Sequence, residues 1–145
     1  MAEHEFEKIV VDLPEPDLGV GGEGLWAKPL GNDLYELQNS PWHSREINFL
    51  DIVKAIAPAE DKKPVFVSVE KRSGHRTIQI ILLQAGQEMR EEILAKLNEL
   101  GGTYENANST LFAIDFAPGI DWEPAKSYLE ELLARELAEY RWSAY

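Results

Sequence analysis

The spacing of apolar residues divides the first half of the chain into predicted strands. Residues 6–13 form one predicted strand, and the short apolar runs 25–30 and 34–38 flank Gly31-Asn32-Asp33. Two such runs on either side of this type of turn predict a β-hairpin. Residues 47–57 fit either a helical face or a short strand, and the pattern does not choose between the two.

The second half begins with two predicted strands and a helix. Residues 65–72 alternate apolar and polar positions, residues 77–83 are almost entirely apolar, and Ser73-Gly74 separates them. We therefore expect two strands joined by a turn. A helix should follow and end at Gly101-Gly102, because glycine commonly ends helices. Its apolar face is Met89, Ile93, Leu94, Leu97 and Leu100.

The remaining residues predict a second hairpin and a terminal helix. Segments 103–107 and 111–116 flank the turn-like pair Asn108-Ser109. Asp121 is a good N-cap residue, and Pro124 fits the first turn of a helix. The inner face of this helix is expected to consist of Tyr128, Leu129, Leu132, Leu133, Leu137 and Tyr140.

The order from residue 77 onwards is therefore strand, helix, strand, strand, helix. With the strand 65–72 alongside, this order predicts a ferredoxin-like sandwich whose helices cover one face of an antiparallel sheet. We thus predict an α+β fold in two parts. Residues 1–63 form a small β-rich part, in which residues 1–24 hold a strand and a glycine-rich loop, and residues 64–145 form the ferredoxin-like part.

Composition supports a globular domain and excludes several classes of site. The chain has 145 residues, 44% of them hydrophobic, and no cysteine, which excludes disulfides, thiolate metal sites and a cysteine nucleophile. It contains no run of 18 apolar residues, and its acidic first residues lack the apolar segment of a secretion signal. We therefore expect a cytoplasmic protein.

The charge balance narrows the classes of partner. Fourteen Lys and Arg against 26 Asp and Glu give a net charge of −12. Such a chain repels nucleic acid and anionic membranes at long range, so neither is an expected partner. The charge either maintains solubility alone or complements a basic protein partner.

The sequence contains no recognisable catalytic motif, and we predict no catalytic residue, metal or cofactor. None of His4, His43 and His75 has the spacing of metal ligands. His43 with Arg45 and His75 with Arg76 allow two interpretations. Their side chains either satisfy backbone groups near turns or, if the two loops converge, form an anion-binding pocket.

Two further features suggest structural roles. The loop Gly19–Gly24 lacks the Lys-Ser/Thr pair of a phosphate-binding loop, so it is predicted to be a flexible linker. Asp115 shares a predicted strand face with Leu111 and Ala113. A carboxylate on an apolar face needs either a partner or an edge position, and of the two we expect a salt bridge.

Four tryptophans are candidate core or contact residues. Trp26 and Trp122 lie in a predicted strand and at a predicted helix start, which favours core positions. Trp42 in a loop and Trp142 near the end of the chain are candidates for exposed partner-binding residues. The alternative for the tail 140–145 is that it packs back on the sheet.

Five segments together resemble a known family. They are 25–29, 34–42, 51–55, 73–77 and 111–115. This combination resembles a family of small bacterial proteins catalogued as a domain of unknown function, the 4265 family. The family pattern has Gly before the Asp of Asp51-Ile52-Val53, where this chain has Leu50. The resemblance implies a two-part layout and a bacterial cytoplasmic setting, and brings no catalytic residues.

The small size, acidity and lack of catalytic motifs favour a non-enzymatic protein that binds and neutralises another protein, as bacterial toxin-immunity proteins do. We expect acidic steering towards a basic toxin domain and contacts through Trp42 and Trp142. The alternative is a small-molecule-binding or regulatory module that uses His43, Arg45, His75 and Arg76. A third class is an enzyme with a site that no motif reveals.

Overall fold

A computed structural model describes residues 6–12, 22–106 and 110–143. Within these ranges the chain forms nine strands and three helices. The strands are β1 (Glu7–Asp12), β2 (Gly22–Gly31), β3 (Leu34–Leu37), β4 (Ile52–Ile56), β5 (Val65–Lys71), β6 (Arg76–Leu82), β7 (Gly102–Asn106), β8 (Leu111–Phe116) and β9 (Ala138–Trp142). The helices are α1 (Gln84–Gln87), α2 (Arg90–Glu99) and α3 (Glu123–Ala134).

Strands β1 to β5 form a closed barrel in sequence order. Consecutive strands pair antiparallel, and β1 closes the barrel through a parallel pairing in which Val10 lies opposite Val65. Every second side chain of a strand points inwards, and these side chains fill the interior. The fully buried members of this core are Ile9, Val11, Leu25, Ala27, Leu37, Ile47, Val53 and Ala55.

Strands β6 to β9 form a second, antiparallel sheet in the order β7-β8-β6-β9. One face of this sheet packs against α2 and α3 through side chains such as Ile80, Leu97 and Leu129. The opposite face faces the barrel, because Gln79 Nε2 donates to the carbonyl oxygens of Pro41 and Ser44 in the β3–β4 connection.

The predicted α+β class with a ferredoxin-like sandwich is wrong. The fold is mostly strand, and five of its strands form a closed barrel in addition to the second sheet. Strand β5, which we expected beside the C-terminal sheet, pairs instead with β4 and β1. Closure depends on pairing between strands that lie far apart in sequence, and no local pattern signals such pairing.

The terminal helix is shorter than predicted. Helix α3 ends at Ala134, Glu136 has a φ of 58°, and β9 begins at Ala138. Leu137 and Tyr140, which fit the helical spacing, therefore do not lie on the helix. The segment instead pairs with β6 and forms one edge of the sheet, because the left-handed conformation of Glu136 does not continue a right-handed helix.

Two segments whose structure the sequence left open or assigned to a linker form strands. The ambiguous segment 47–57 contains strand β4, and Gly22 and Gly24 lie in β2, paired with β1, rather than in a linker. His4, residues 19–21, the turn Asn108-Ser109 and residues 144–145 lie outside the described residues. Within those described, no helix combines the length and the apolar character needed to cross a membrane.

Candidate functional site

The connection between β3 and β4, residues 38–51, lies between the barrel and the sheet, and we call it the junction loop. The carboxylate of Glu23 in β2 accepts hydrogen bonds from the backbone N–H groups of Trp42 at 2.6 Å, Ser44 at 2.9 Å and His43 at 3.3 Å. One barrel side chain thereby satisfies three successive donors of this loop.

The sheet holds the same loop from the other side. The Glu105 carboxylate accepts from Asn39 Nδ2 at 3.0 Å and from Ser40 N at 2.7 Å. Arg141 donates to the carbonyl oxygen of His43 and, at 2.6 Å, to Gln79 Oε1. The junction loop is therefore fixed to both parts of the molecule.

A groove of about 500 Å³ lies beside β9 and the junction loop, and we call it the edge groove. Its lining residues are Trp42, His43, Gln79, Ile81, Leu111, Leu133, Glu139, Tyr140 and Arg141. Ile81 and Leu133 are each 47% exposed. The groove therefore presents apolar surface to solvent next to polar groups.

Strand β9 directs part of its main chain away from the sheet. Ser143 N donates to Thr77 O, and Leu83 N donates to Leu137 O, so the odd-numbered residues from 137 to 143 pair with β6. The N–H and C=O groups of the alternating residues Ala138, Tyr140 and Trp142 therefore point away from β6. Ala138 is fully buried, so of these residues only Tyr140 and Trp142 are partly exposed. Arg45 Nε donates to Trp142 O at 2.9 Å, which covers one end of this edge.

A second, smaller space of about 280 Å³ lies between the barrel and the second sheet, and we call it the junction cavity. It is lined by Asn48, Asp51, Arg72, Gly74, His75, Arg76, Phe116, Ala117, Pro118, Gly119, Ile120 and Trp122. Polar side chains come mainly from the barrel side and the start of β6. The segment between β8 and α3 supplies most of the apolar wall.

An imidazole–carboxylate pair lies beside this cavity. His75 Nδ1 is 3.0 Å from both oxygens of Asp115, and each side chain is 12% exposed. Burial raises the pKa of Asp115 above its ordinary value, and the nearby His75 lowers this pKa without cancelling the effect. When Asp115 is ionised, it favours the tautomer with the proton on Nδ1 and leaves Nε2 for other contacts.

Asp51 organises the cavity wall from within the barrel. Its carboxylate is buried and accepts from Asn48 N at 2.9 Å, Ser73 N at 2.8 Å and Arg72 Nη1 at 3.4 Å. Arg72 Nη1 also donates to Glu46 O at 2.6 Å. These contacts hold the guanidinium of Arg72 at the mouth of the cavity.

Arg76 lies among aromatic rings. Its guanidinium carbon is 5.0 Å from the ring centre of Trp122 and 5.3 Å from that of Trp142, distances typical of cation–π contacts. Nη2 donates to Ser143 O at 3.4 Å. Nε is buried without a hydrogen-bond partner among the described residues.

The predicted ligand-binding residues are distributed over three places. His75 and Arg76 line the junction cavity, His43 lines the edge groove, and Arg45 binds the main chain of β9. The two histidine loops therefore contribute to different cavities. Arg72, which the sequence did not single out, lines the same cavity as His75 and Arg76.

Trp26 does not lie where the sequence predicts, and Trp42 and Trp142 are only partly exposed. Trp26 was predicted to lie in the core, but it is 47% exposed, with Lys8 Nζ 4.8 Å from its ring centre. Trp42 is half-buried, and its Nε1 donates to Glu105 O at 3.3 Å. Trp142 is also half-buried and packs against Trp122 at a ring distance of 4.8 Å.

The sequence reasoning missed three buried or partly buried carboxylates. Glu23 and Glu105 hold the junction loop, and Asp51 holds the cavity wall. Asp51 lies in the segment Asp51-Ile52-Val53 and Glu23 in the loop Gly19–Gly24, but in neither segment does the sequence indicate a role for the carboxylate. The expected partner of Asp115 was found, and it is His75.

The chemistry available here is binding and proton transfer. The described residues contain no group of three or more His, Asp or Glu side chains placed to hold a metal ion. The hydroxyl of Ser73 donates to Phe49 O at 2.7 Å and accepts from the backbone N–H of His75 at 3.1 Å. It is therefore engaged structurally rather than as a nucleophile.

Comparison with other proteins supports the fold and the family. A solved structure described as a hypothetical protein from Neisseria gonorrhoeae superimposes with a TM-score of 0.82 at 22% identity, covering 97% of this chain and 95% of that one. No curated protein matches the chain. The family described as "Domain of unknown function (DUF4265)" matches residues 23–140, and the chain therefore belongs to this family.

Proposed function

We propose that this chain is a non-enzymatic, cytoplasmic binding protein that holds an extended segment of a basic partner protein along the outer edge of β9. The observation that carries the proposal is the outward-pointing main chain of the half-buried Tyr140 beside the exposed Ile81 and Leu133. A sheet edge next to exposed apolar side chains can accept an added strand.

The geometry suits a short strand. Tyr140 presents one N–H and one C=O, so an added strand can form two main-chain hydrogen bonds there. Alternate side chains of such a strand fall on the two faces of the sheet. Leu133 and Ile81 provide apolar contacts there, and Trp42 borders the groove.

The charge of the chain favours a basic segment. The net charge is −12. Glu139 lines the groove, and Glu130 is close enough to Tyr140 to contribute, after burial, to raising the pKa of that phenol. Lys or Arg side chains on the partner would meet these carboxylates and gain in association rate.

An inhibitor resembling toxin-immunity proteins is the specific form of this proposal. Toxin domains that act on nucleic acid are often basic, and an acidic protein can compete with their substrate. We expect the chain to restore the growth of cells that express its partner. Growth inhibition unaffected by co-expression would exclude this specific form and leave strand capture to be tested separately.

The test of strand capture uses two exposed apolar positions. The partner is captured by cross-linking in the source bacterium, identified, and purified for calorimetry. Leu133→Lys should weaken its binding by about tenfold or more, since truncating or charging a central apolar contact costs more than about 1.4 kcal/mol. Val67→Lys is the matched control, because Val67 is exposed on β5 of the barrel.

Hydrogen exchange locates the contact. The amide of Tyr140 should become protected in the complex, because an added strand would accept its hydrogen bond. Equal binding by Leu133→Lys and Val67→Lys, together with unprotected Tyr140, would overturn the proposal.

A further inference from the structure

We propose that the junction cavity binds a small organic anion, with a carboxylate or phosphate group held by Arg72, His75 and Arg76 and an apolar body against Trp122. The proposal does not depend on strand capture, since these four residues lie outside the edge groove. It rests on the charges, the wall and the size of the cavity.

The ionisable side chains that line the cavity present mainly positive charge to it. Two guanidinium groups and one imidazole line the space, and Asp51 is the carboxylate among the lining residues. The Asp51 side chain is 1% exposed and already accepts from three donors, whereas Arg72 is 39% exposed. In a chain of charge −12 this local arrangement favours an anionic ligand.

Arginine provides the geometry for an oxyanion. A guanidinium group recognises a carboxylate or phosphate through paired N–H donors, which a point charge does not provide. The Trp122 and Trp142 rings hold Arg76 in one place, and the Asp51 carboxylate and Glu46 O hold Arg72. Both cations are therefore ordered before a ligand arrives, which lowers the entropic cost of binding.

His75 adds a third polar contact. Asp115 engages Nδ1, so the ring nitrogen that remains for a ligand is Nε2. Nε2 can therefore form a hydrogen bond with a polar group of the ligand.

The remaining wall and the volume set the kind of anion. Phe116, Pro118, Ile120 and Trp122 form an apolar side opposite the charged groups. The volume of about 280 Å³ is near the lower end of the range of about 300–1,000 Å³ for small-molecule pockets. An inorganic ion would leave the apolar side in water, so the ligand should carry a small apolar or aromatic body.

Benzoate and phenyl phosphate are the probes that test the proposal, and calorimetry measures their affinity. Benzamide and inorganic phosphate are the matched controls, since one lacks the charge and the other the ring. We expect saturable 1:1 binding of at least one organic anion, with each control bound at least about tenfold more weakly. A preference between the two anions identifies the head group.

Substitutions place the binding in the cavity. Arg72→Gln should weaken the binding of the preferred probe by about tenfold or more, because a charge-assisted contact is lost. Lys96→Gln, at an exposed position on α2, should leave the affinity for this probe unchanged. Arg76→Gln is less suitable alone, because Arg76 packs between two rings and its loss can destabilise the fold.

Three results would overturn the proposal. The first is that neither organic anion shows saturable binding at about 10 mM. The second is that benzoate and benzamide bind equally well. The third is that Arg72→Gln binds the preferred probe as tightly as the wild type does. Leu133→Lys should leave probe binding unchanged. Failure at the junction cavity and failure at the edge groove can therefore be told apart.

Discussion

His75 Nδ1 lies 3.0 Å from both carboxylate oxygens of Asp115, and this contact joins the turn before β6 to strand β8. Asp115 is on the face of the second sheet that faces the barrel, where burial disfavours its charged form. Its pKa is raised by that burial more than His75 lowers it. The pair therefore positions the imidazole at a cost that depends on pH.

We predict that ionised Asp115 lowers stability. Its pKa is raised in the folded state, so the folded protein binds this proton more readily than the unfolded chain does. The stability of the wild type relative to Asp115→Asn should therefore be highest below the ordinary pKa, about 4, and fall as the pH rises through the folded value. Urea unfolding from pH 3.5 to 5.5 measures this difference.

The control for this experiment is Asp61→Asn, in an exposed turn. It should show no comparable change with pH. A stability difference that grows in favour of the wild type as the pH rises would contradict the assigned direction of the Asp115 shift.

We predict that Glu23→Ala lowers the free energy of unfolding by about 2–3 kcal/mol. The substitution removes the acceptor of three backbone N–H groups, and unsatisfied buried donors cost about 1–3 kcal/mol each when water cannot replace the partner. Glu23→Gln retains one acceptor oxygen and should cost less. Urea denaturation of both variants, beside the exposed Glu60→Ala, tests this, and equal losses in all three would refute it.

Leu50 provides a test of backbone strain. Its φ of 66° lies in the left-handed region, which costs a residue with a Cβ about 1–2 kcal/mol. Leu50→Gly and Leu50→Ala both lose the side-chain contacts, but only glycine relieves the strain. We therefore expect Leu50→Gly to be more stable than Leu50→Ala by about 1 kcal/mol in thermal unfolding.

Ala95 in α2 is the control, because at this position glycine should be less stable than alanine. It is exposed in a helix, and Ala95→Gly should lower stability by about 1 kcal/mol. If Leu50→Gly were the less stable of the two Leu50 variants, the left-handed conformation of this residue would be in error.

Truncation of the half-buried Trp142 should lower stability more than truncation of the exposed Trp26. Trp142→Ala removes a half-buried ring that contacts Trp122, Phe116 and Arg76, and should cost about 2–3 kcal/mol. Trp26→Ala removes a ring that is 47% exposed and should cost about 1 kcal/mol or less. Thermal unfolding compares them, and equal losses would show that Trp142 is not part of the core.

Local features of the fold were predictable because their causes are local. The turn 31–33 has positive φ at all three residues, as its Gly-Asn-Asp sequence favours, and helix α2 stops before Gly101, whose φ is 105°. Helix α3 has a proline in its first turn, as expected for Pro124. These signals depend on backbone preferences of single residues.

The architecture was not predictable in the same way. Whether β5 joins the second sheet or closes the barrel depends on the pairing of Val10 with Val65. Nothing in the sequence near either valine indicates which strand it pairs with. Leu137 and Tyr140 fit a helical period, yet Glu136 in the left-handed region ends that segment before the β9 strand. Tertiary pairing overrides periodicity at both places.

The candidate sites were predictable only as residue types. Histidine and arginine near a turn suggested an anion pocket, and His75 and Arg76 do line a cavity. Arg72 is the last residue of the predicted strand 65–72, and the sequence around Asp51 and Glu23 indicates no role for their carboxylates. Their roles arise from distant backbone donors, which the sequence does not reveal.

Barrel closure by β1 and β5 has a consequence for synthesis of the chain. On the ribosome, β1 can pair with β2 early, but its other neighbour emerges only after β3, β4 and the loop that follows them. Until then the nascent chain carries two unpaired strand edges, which are prone to intermolecular pairing. Slow codons placed between β4 and β5 should therefore raise the insoluble fraction, whereas the same codons after β5 should not.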